Sequence, residues 1–329
     1  MAYVKKPAAT NKKNALVCLA LIMWALLAGN LWRFLPPDRV FTQALSLYTE
    51  MLRDTTIVGA EFSALTTTLG NYAVKRSSEN PVTAALMVRL LKDAGATPET
   101  VVAINASGSF PGFLLAALSA CAALGIKPYV IASIGSSTFG ANIPGNTVAD
   151  ILMQDNVRAL GFTLLAVTPG GSGDHGLMLD EEELARVSRM LENHGIAFIV
   201  PQDLADAISL RETLFNSAGS TLLVNIGGGH ASIGDDMELA LASGVLIPEP
   251  NRTFNEAGLV QQFLTAGKPV IQILNVNRLY ETYGLAIDRD GNFLGGTGNL
   301  YRRGLSPLLT LVPLAAALAL LFVNARQRG

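Results

Sequence analysis

Four times along this chain a short apolar run breaks off into glycine and serine and is followed by a helix-forming segment. The stretches are VVAINASGSFPG at 101–112, VIASIGSSTFGAN at 130–142, LLAVTPGGSGDHG at 164–176 and LLVNIGGGHASIG at 222–234. Strands alternating with helices imply an α/β fold with a mostly parallel sheet and helices on both faces. Parallel strands place their carboxyl ends on one edge, so the four loops should converge on one crevice. A strand that runs through Ser and Gly into a helix also leaves backbone N–H groups aimed at whatever sits above it, which suits an anion.

The spacing predicts strands over 101–104, 128–133, 162–167, 196–200, 222–226 and 270–275. Helices fall between them, over 113–124, near 146–155, from the capping Asp180 to Gly195, and over 203–216. Upstream, Val40, Ala44, Leu47 and Met51 recur at helical spacing, and a second amphipathic helix over 82–94 stops at Gly95. Residues 36–99 therefore read as a helical stalk or cap, and 100–304 as the α/β ligand-binding domain.

Half of the 329 residues are hydrophobic and only 15% are charged, against about 25% in an ordinary soluble domain. Much of the excess lies in two runs, 15–35 and 305–323, each close to the ~20 residues that cross a bilayer core. The expectation is one transmembrane helix at each end of the domain, with 1–14 and 324–329 as short cytoplasmic tails. Trp32, Arg33 and Phe34 stand where a cleavable signal would carry small residues. Six Lys/Arg lie in the tails (Lys5, Lys6, Lys12, Lys13, Arg326, Arg328) and four on the inner flanks (Arg33, Arg39, Arg302, Arg303). That bias favours an extracytoplasmic domain on the bacterial inner (cytoplasmic) membrane, with the lipid bilayer as one partner. A net charge of −2 offers no basic footprint, so no nucleic acid is expected. The two cysteines, Cys18 and Cys121, lie in separate apolar runs and predict no disulfide.

The chemistry-bearing residues sit in the loops. Ser109 follows a strand end, as a nucleophile would, but Gly108-Ser109-Phe110-Pro111-Gly112 lacks the Gly-x-Ser-x-Gly spacing of a nucleophile elbow. The alternative is that Ser109 caps the helix that Pro111 begins. His175 and His230 lie in strand-end loops, where either is placed to serve as base to a loop serine, with Asp174 or Asp235 as orienting acid. The other reading is a loop histidine bonded to backbone. His194, at a helix end, has a structural role. Asn105, Ser107, Gly108, Ser136, Ser137, Gly171, Ser172, Gly228 and Gly229 form the expected ligand-binding loops, joined by Asn275 and Arg278 after the last strand. Neither a P-loop, a dinucleotide fingerprint nor a metal-ligand spacing occurs, so no cofactor and no metal is assigned.

Four stretches, NASGSFPG (105–112), SIGSSTFGAN (133–142), VNIGGGHASIG (224–234) and ILNVNRLYETYGL (273–285), give the chain a likeness spread over most of its central domain. In them it resembles the poly-γ-glutamate system protein family, membrane accessory proteins of bacterial capsule or polyglutamate loci. The resemblance implies work beside the synthesis and export machinery for a γ-linked glutamate polymer, with other membrane proteins of that system as partners. It supplies no catalytic residues, and the chain lacks the ATP-binding fingerprint of the amide ligase that makes such a polymer. The leading expectation is a component whose loops bind glutamyl carboxylates. The alternatives are a hydrolase or transferase acting on γ-glutamyl amides through Ser109 with His175 or His230, and a non-catalytic structural partner.

Overall fold

The computed structural model describes residues 17–24, 38–250, 252–254, 258–295, 300, 315–319 and 322. The chain divides into two compact units, one of 1–38 with 302–329 and one of 39–301. In the first, the described helical residues are 17–24, 315–319 and 322. Among the described residues no helix is long and apolar enough to cross a membrane. This corrects the expected transmembrane helix at each end, and with it the assignment to a membrane and the orientation drawn from it. An apolar run in sequence sets what surroundings a segment tolerates, not how long a helix it forms, and Pro307 and Pro313 stand inside the second run. The rest of 15–35 and 305–323 lies outside the described residues.

The second unit opens with helix α1 (Arg39–Asp54), a short strand β1 (Thr66–Thr68), α2 (Tyr72–Ser77) and α3 (Val82–Asp93). The segment expected as a stalk or cap thus belongs to the same compact unit as the sheet. The sheet strands are β2 (Val102–Ser107), β3 (Tyr129–Ser133), β7 (Thr163–Thr168), β8 (Ala197–Phe198), β9 (Leu222–Ile226), β10 (Gly244–Leu246) and β11 (Val270–Ile273). Three two-residue strands lie between β3 and β7: β4 (Ser136–Ser137), which pairs with β1, and the β5 (Asn142–Ile143) and β6 (Asn146–Thr147) hairpin. The strand order is β10-β11-β9-β2-β3-β7-β8. Every neighbouring pair is parallel except β10–β11. The expected mostly parallel sheet is present; the antiparallel edge strand β10 is an addition, three residues that are too short to show a pattern.

Strand periodicity explains the layers. Val102, Ile104 and Ala106 turn one way, into a core shared with α1, α3 and α4 (Pro111–Leu124). Ala103 turns the other way, towards Phe215 of α8 (Leu204–Ser217) and Leu259, Val260 and Phe263 of α11 (Leu259–Thr265). Helix α4 is apolar all round because α1 and α3 cover the side that the sheet does not. It ends at Gly125, whose φ of 75° no branched residue adopts without strain. Because β2 lies in the middle, the chain leaves it towards β3 on one side and returns beside it as β9 on the other. That reversal opens a crevice at the carboxyl edge.

Candidate functional site

The crevice at this edge has a volume of about 660 Å³. All four Gly/Ser turns contribute to its wall, as the parallel sheet requires. From the expected ligand loops, Asn105, Ser107, Ser109 and Ser137 line one part. Gly171, Ser172, Gly228, Gly229, His230 and Asn275 line another. Four expected residues do not line it. Gly108 and Ser136 are spent on loop packing: a side chain on Gly108 would come within 2.6 Å of the Ile134 carbonyl, and Ser136 Oγ donates to the Gly108 carbonyl at 2.9 Å. Arg278 is exposed on α12 (Val276–Thr282), and its backbone N–H is capped by Asn275 Oδ1 at 3.2 Å. His175 has its Nδ1 at 3.1 Å from the Pro201 carbonyl, to which that nitrogen donates.

The floor is polar and closed. Arg211 of α8 is 1% exposed. Its Nε donates to Asn105 Oδ1 at 3.0 Å, and Nη1 donates to the Ala207 carbonyl at 2.9 Å. Its Nη2 donates to Ser133 Oγ at 3.0 Å and Thr168 Oγ1 at 2.9 Å. Its Nη1 also lies 2.8 Å from Asp174 Oδ2. That contact is a charge pair without the alignment of a hydrogen bond, since Asp174 Oδ2 makes none, while Oδ1 accepts from Thr168 Oγ1 at 2.9 Å. Asp174 holds φ at +66°, an unusual conformation for a residue with a side chain. The ion pair with Arg211 accounts for its retention there.

From Arg211 a row of amides crosses the sheet. Asn105 Nδ2 donates to Asn225 Oδ1 and to Ser232 Oγ, both at 2.8 Å. Asn225 Nδ2 donates to Gln272 Oε1 at 2.9 Å. These three residues stand opposite one another in register on β2, β9 and β11, so one polar row fixes three strands. Such a row is stable only when its members are satisfied.

The serine–histidine pairing is not assembled. Ser109 Oγ accepts from the Ser137 N–H at 3.0 Å, and among the described residues no hydrogen bond joins Ser109 to His175 or His230. Helix α4 begins after Phe110 with no side-chain cap, so Ser109 does not cap it either. His230 Nδ1 accepts from the Gly173 N–H at 3.3 Å, which puts its proton on Nε2, 3.5 Å from Asp235 Oδ1. It joins the loops after β7 and β9 across the crevice mouth.

In the sequence nothing distinguishes Lys75, one cation in a Lys-Arg pair. Arg76 is paired with Glu79. Lys75, 2% exposed, turns inward. Its Nζ donates to the Ser109 carbonyl, lies 2.8 Å from Ser137 Oγ, and sits 3.7 Å from the centre of the Phe110 ring. Burial lowers its pKa to about 7. Both cysteines are free and buried, and burial pushes the Cys121 thiol up to about 12. Among the described residues no group of three or more His, Cys, Asp or Glu side chains is gathered as metal ligands would be.

No protein-family model and no curated protein matches the chain. Among solved structures it is similar to a hydrogen sulfide-producing enzyme from Fusobacterium nucleatum (16% identity, TM-score 0.21, 56% of this chain and 58% of that one). It is also similar to diaminopropionate ammonia lyase from Escherichia coli (10% identity, TM-score 0.18, 60% and 55%). A third is O-ureido-L-serine synthase (13% identity, TM-score 0.21, 81% and 86%). The chain thus spans a little over half the length of the first two. At such TM-scores none of these likenesses bears on the fold or chemistry of this chain.

Proposed function

We propose that the crevice binds the carboxylates of a glutamyl ligand, and that the protein serves a poly-γ-glutamate system as a ligand-binding component. One observation supports the reading. Gly171, Ser172, Gly228, Gly229, His230 and Ala231 line the crevice, and among the described residues their N–H groups make no hydrogen bond within the protein. Backbone N–H groups on Gly-rich loops form concave nests that take anionic oxygens. A row of carboxylates along a γ-linked chain presents such oxygens repeatedly. Arg211 serves the floor and not the ligand, since every one of its nitrogens already faces an acceptor or the Asp174 carboxylate. It holds the floor on which the loops stand.

Gly229 offers a clean test, because its φ of −57° and ψ of 148° suit proline. Gly229→Pro removes one N–H without forcing the backbone. A hydrogen bond to a charged group contributes about 1.5–3 kcal/mol. Short γ-glutamyl oligomers, measured by calorimetry, should therefore bind the variant about 10- to 100-fold more weakly. Equal affinity would place the carboxylates elsewhere, and no binding by the wild type would reject the reading.

A further inference from the structure

We propose that Ser137 and Lys75 form a nucleophile–base pair that transfers an acyl group from an amide of the ligand held in the crevice. The inference rests on the carboxylate-binding reading for the ligand class, and on separate geometry for the chemistry. Ser137 lines the crevice, and its Oγ is 2.8 Å from Lys75 Nζ. Three further contacts fix the pair. The Ser137 N–H donates to Ser109 Oγ at 3.0 Å, and the Ser109 carbonyl accepts from Lys75 Nζ. On the other side Gly70 approaches closely enough that a side chain there would come within 3.1 Å of Lys75 Cε. Serine and lysine are a known variant of the nucleophile–base arrangement.

A base must reach its partner without a proton. Among the described residues the groups shown in contact with the Lys75 side chain, Gly70, Ser109, Phe110 and Ser137, are all neutral, and on its own helix Arg76 is occupied with Glu79. With no carboxylate among these contacts to hold the charge, burial brings the pKa to about 7. The neutral amine then has two N–H donors, one used on the Ser109 carbonyl, and a lone pair for the Ser137 hydroxyl proton.

The steps balance. Lys75 Nζ takes the Ser137 proton as Oγ bonds to the amide carbonyl carbon. The carbon–nitrogen bond then breaks, the proton passes from Lys75 to the leaving amine, and the acyl group remains as an ester on Ser137. Water, or the amine of an acceptor chain, adds to the ester carbon and gives its proton to Lys75. Ser137 Oγ leaves with that proton. Hydrolysis shortens the chain, and aminolysis passes the acyl group on.

The probe is a fluorophosphonate, which modifies activated serine hydroxyls, followed by intact-mass and peptide mapping of the full chain. The expected result is one adduct, on Ser137, with a labelling rate that rises with pH to a midpoint near 7. Ser137→Ala should remove the adduct, and Lys75→Met should slow labelling by about 10²-fold or more. Thermal unfolding checks that both variants fold; Lys75→Arg supplies a second variant that keeps a cation but cannot act as a base at neutral pH, and it should label as slowly as Lys75→Met. An unlabelled Ser137 in the wild type, or labelling indifferent to Lys75, overturns the pair. The binding measurement is independent: oligomers that bind without labelling reject the pair alone, and labelling without oligomer binding rejects the carboxylate reading alone.

Discussion

Two cations are buried near the same crevice, and they are treated in opposite ways. Arg211 meets acceptors at every nitrogen and has the Asp174 carboxylate at 2.8 Å. Lys75 meets one carbonyl, one hydroxyl and one aromatic face, and among the described residues no carboxylate is paired with it. Both side chains are at most 2% exposed, so burial alone does not separate them. The partner set does. A guanidinium stays charged in proteins and requires a complete shell, whereas an amine can release its proton when the shell is incomplete. One cation therefore fixes the strand edge, and the other is left chemically available.

Removing the first should have the largest effect. Arg211→Met strands Asp174 as a buried charge and takes a partner from Asn105, Ser133 and Thr168 together. Breaking one side of a buried pair costs about 3–5 kcal/mol. Urea unfolding should show a loss of that size, with Arg211→Lys recovering only part of it. A loss below about 1 kcal/mol would mean that the pair is solvated or the floor rebuilt, and the contrast between the two cations would not hold.

The second effect builds up only across a pH window and appears as a slope. The Lys75 pKa is lowered to about 7 in the folded chain, while the unfolded chain keeps an ordinary lysine. Between pH 7 and about 10 the unfolded state binds more protons, so this group makes stability rise with pH by about 1.4 kcal/mol per unit. Below pH 7 both states are protonated and the contribution is flat. Subtracting the Lys75→Met profile from the wild-type profile isolates the group. Parallel profiles across that window would show that Lys75 keeps its charge when buried, and would remove the distinction from Arg211.

The sequence revealed the site's position better than its chemistry. Parallel strands ending in Gly/Ser loops dictate a common edge, and the wall of the crevice was legible from that grammar alone. Long apolar runs such as 15–35 and 305–323 are ambiguous, because length and composition predict a membrane helix without fixing the length of helix that forms. Arg211 and Lys75 are not legible in the sequence because each lies in a helix among other polar residues, and only tertiary packing distinguishes a buried cation from a solvated one. A local signal did exist for the amide row: Asn105, Asn225 and Gln272 each interrupt an apolar strand, where an amide is costly unless paired. His175 and His230 stand in loops where the sequence admits either a base or a backbone-bonded histidine, and in the structure both bond to backbone.

His230 supplies the smallest effect and sharpens the comparison from the other side. It lies at the crevice mouth with its side chain 28% exposed, and it accepts one hydrogen bond, from the Gly173 N–H. Its contact with Asp235 is 3.5 Å, to a carboxylate that is 83% exposed, where solvent screens the attraction. A single neutral hydrogen bond contributes about 0.5–1.5 kcal/mol, and a group near solvent can return its partner to water. His230→Ala should therefore lower stability by about 1 kcal/mol or less, against the much larger loss for Arg211→Met, in the same urea series. Hydrogen exchange at the Gly173 amide should quicken while amides of β2 and β9 keep their protection. A loss as large as that of Arg211→Met would show that the loops, and not the buried cation, hold the crevice edge together. That outcome would move the structural anchor of the site from the floor to its mouth.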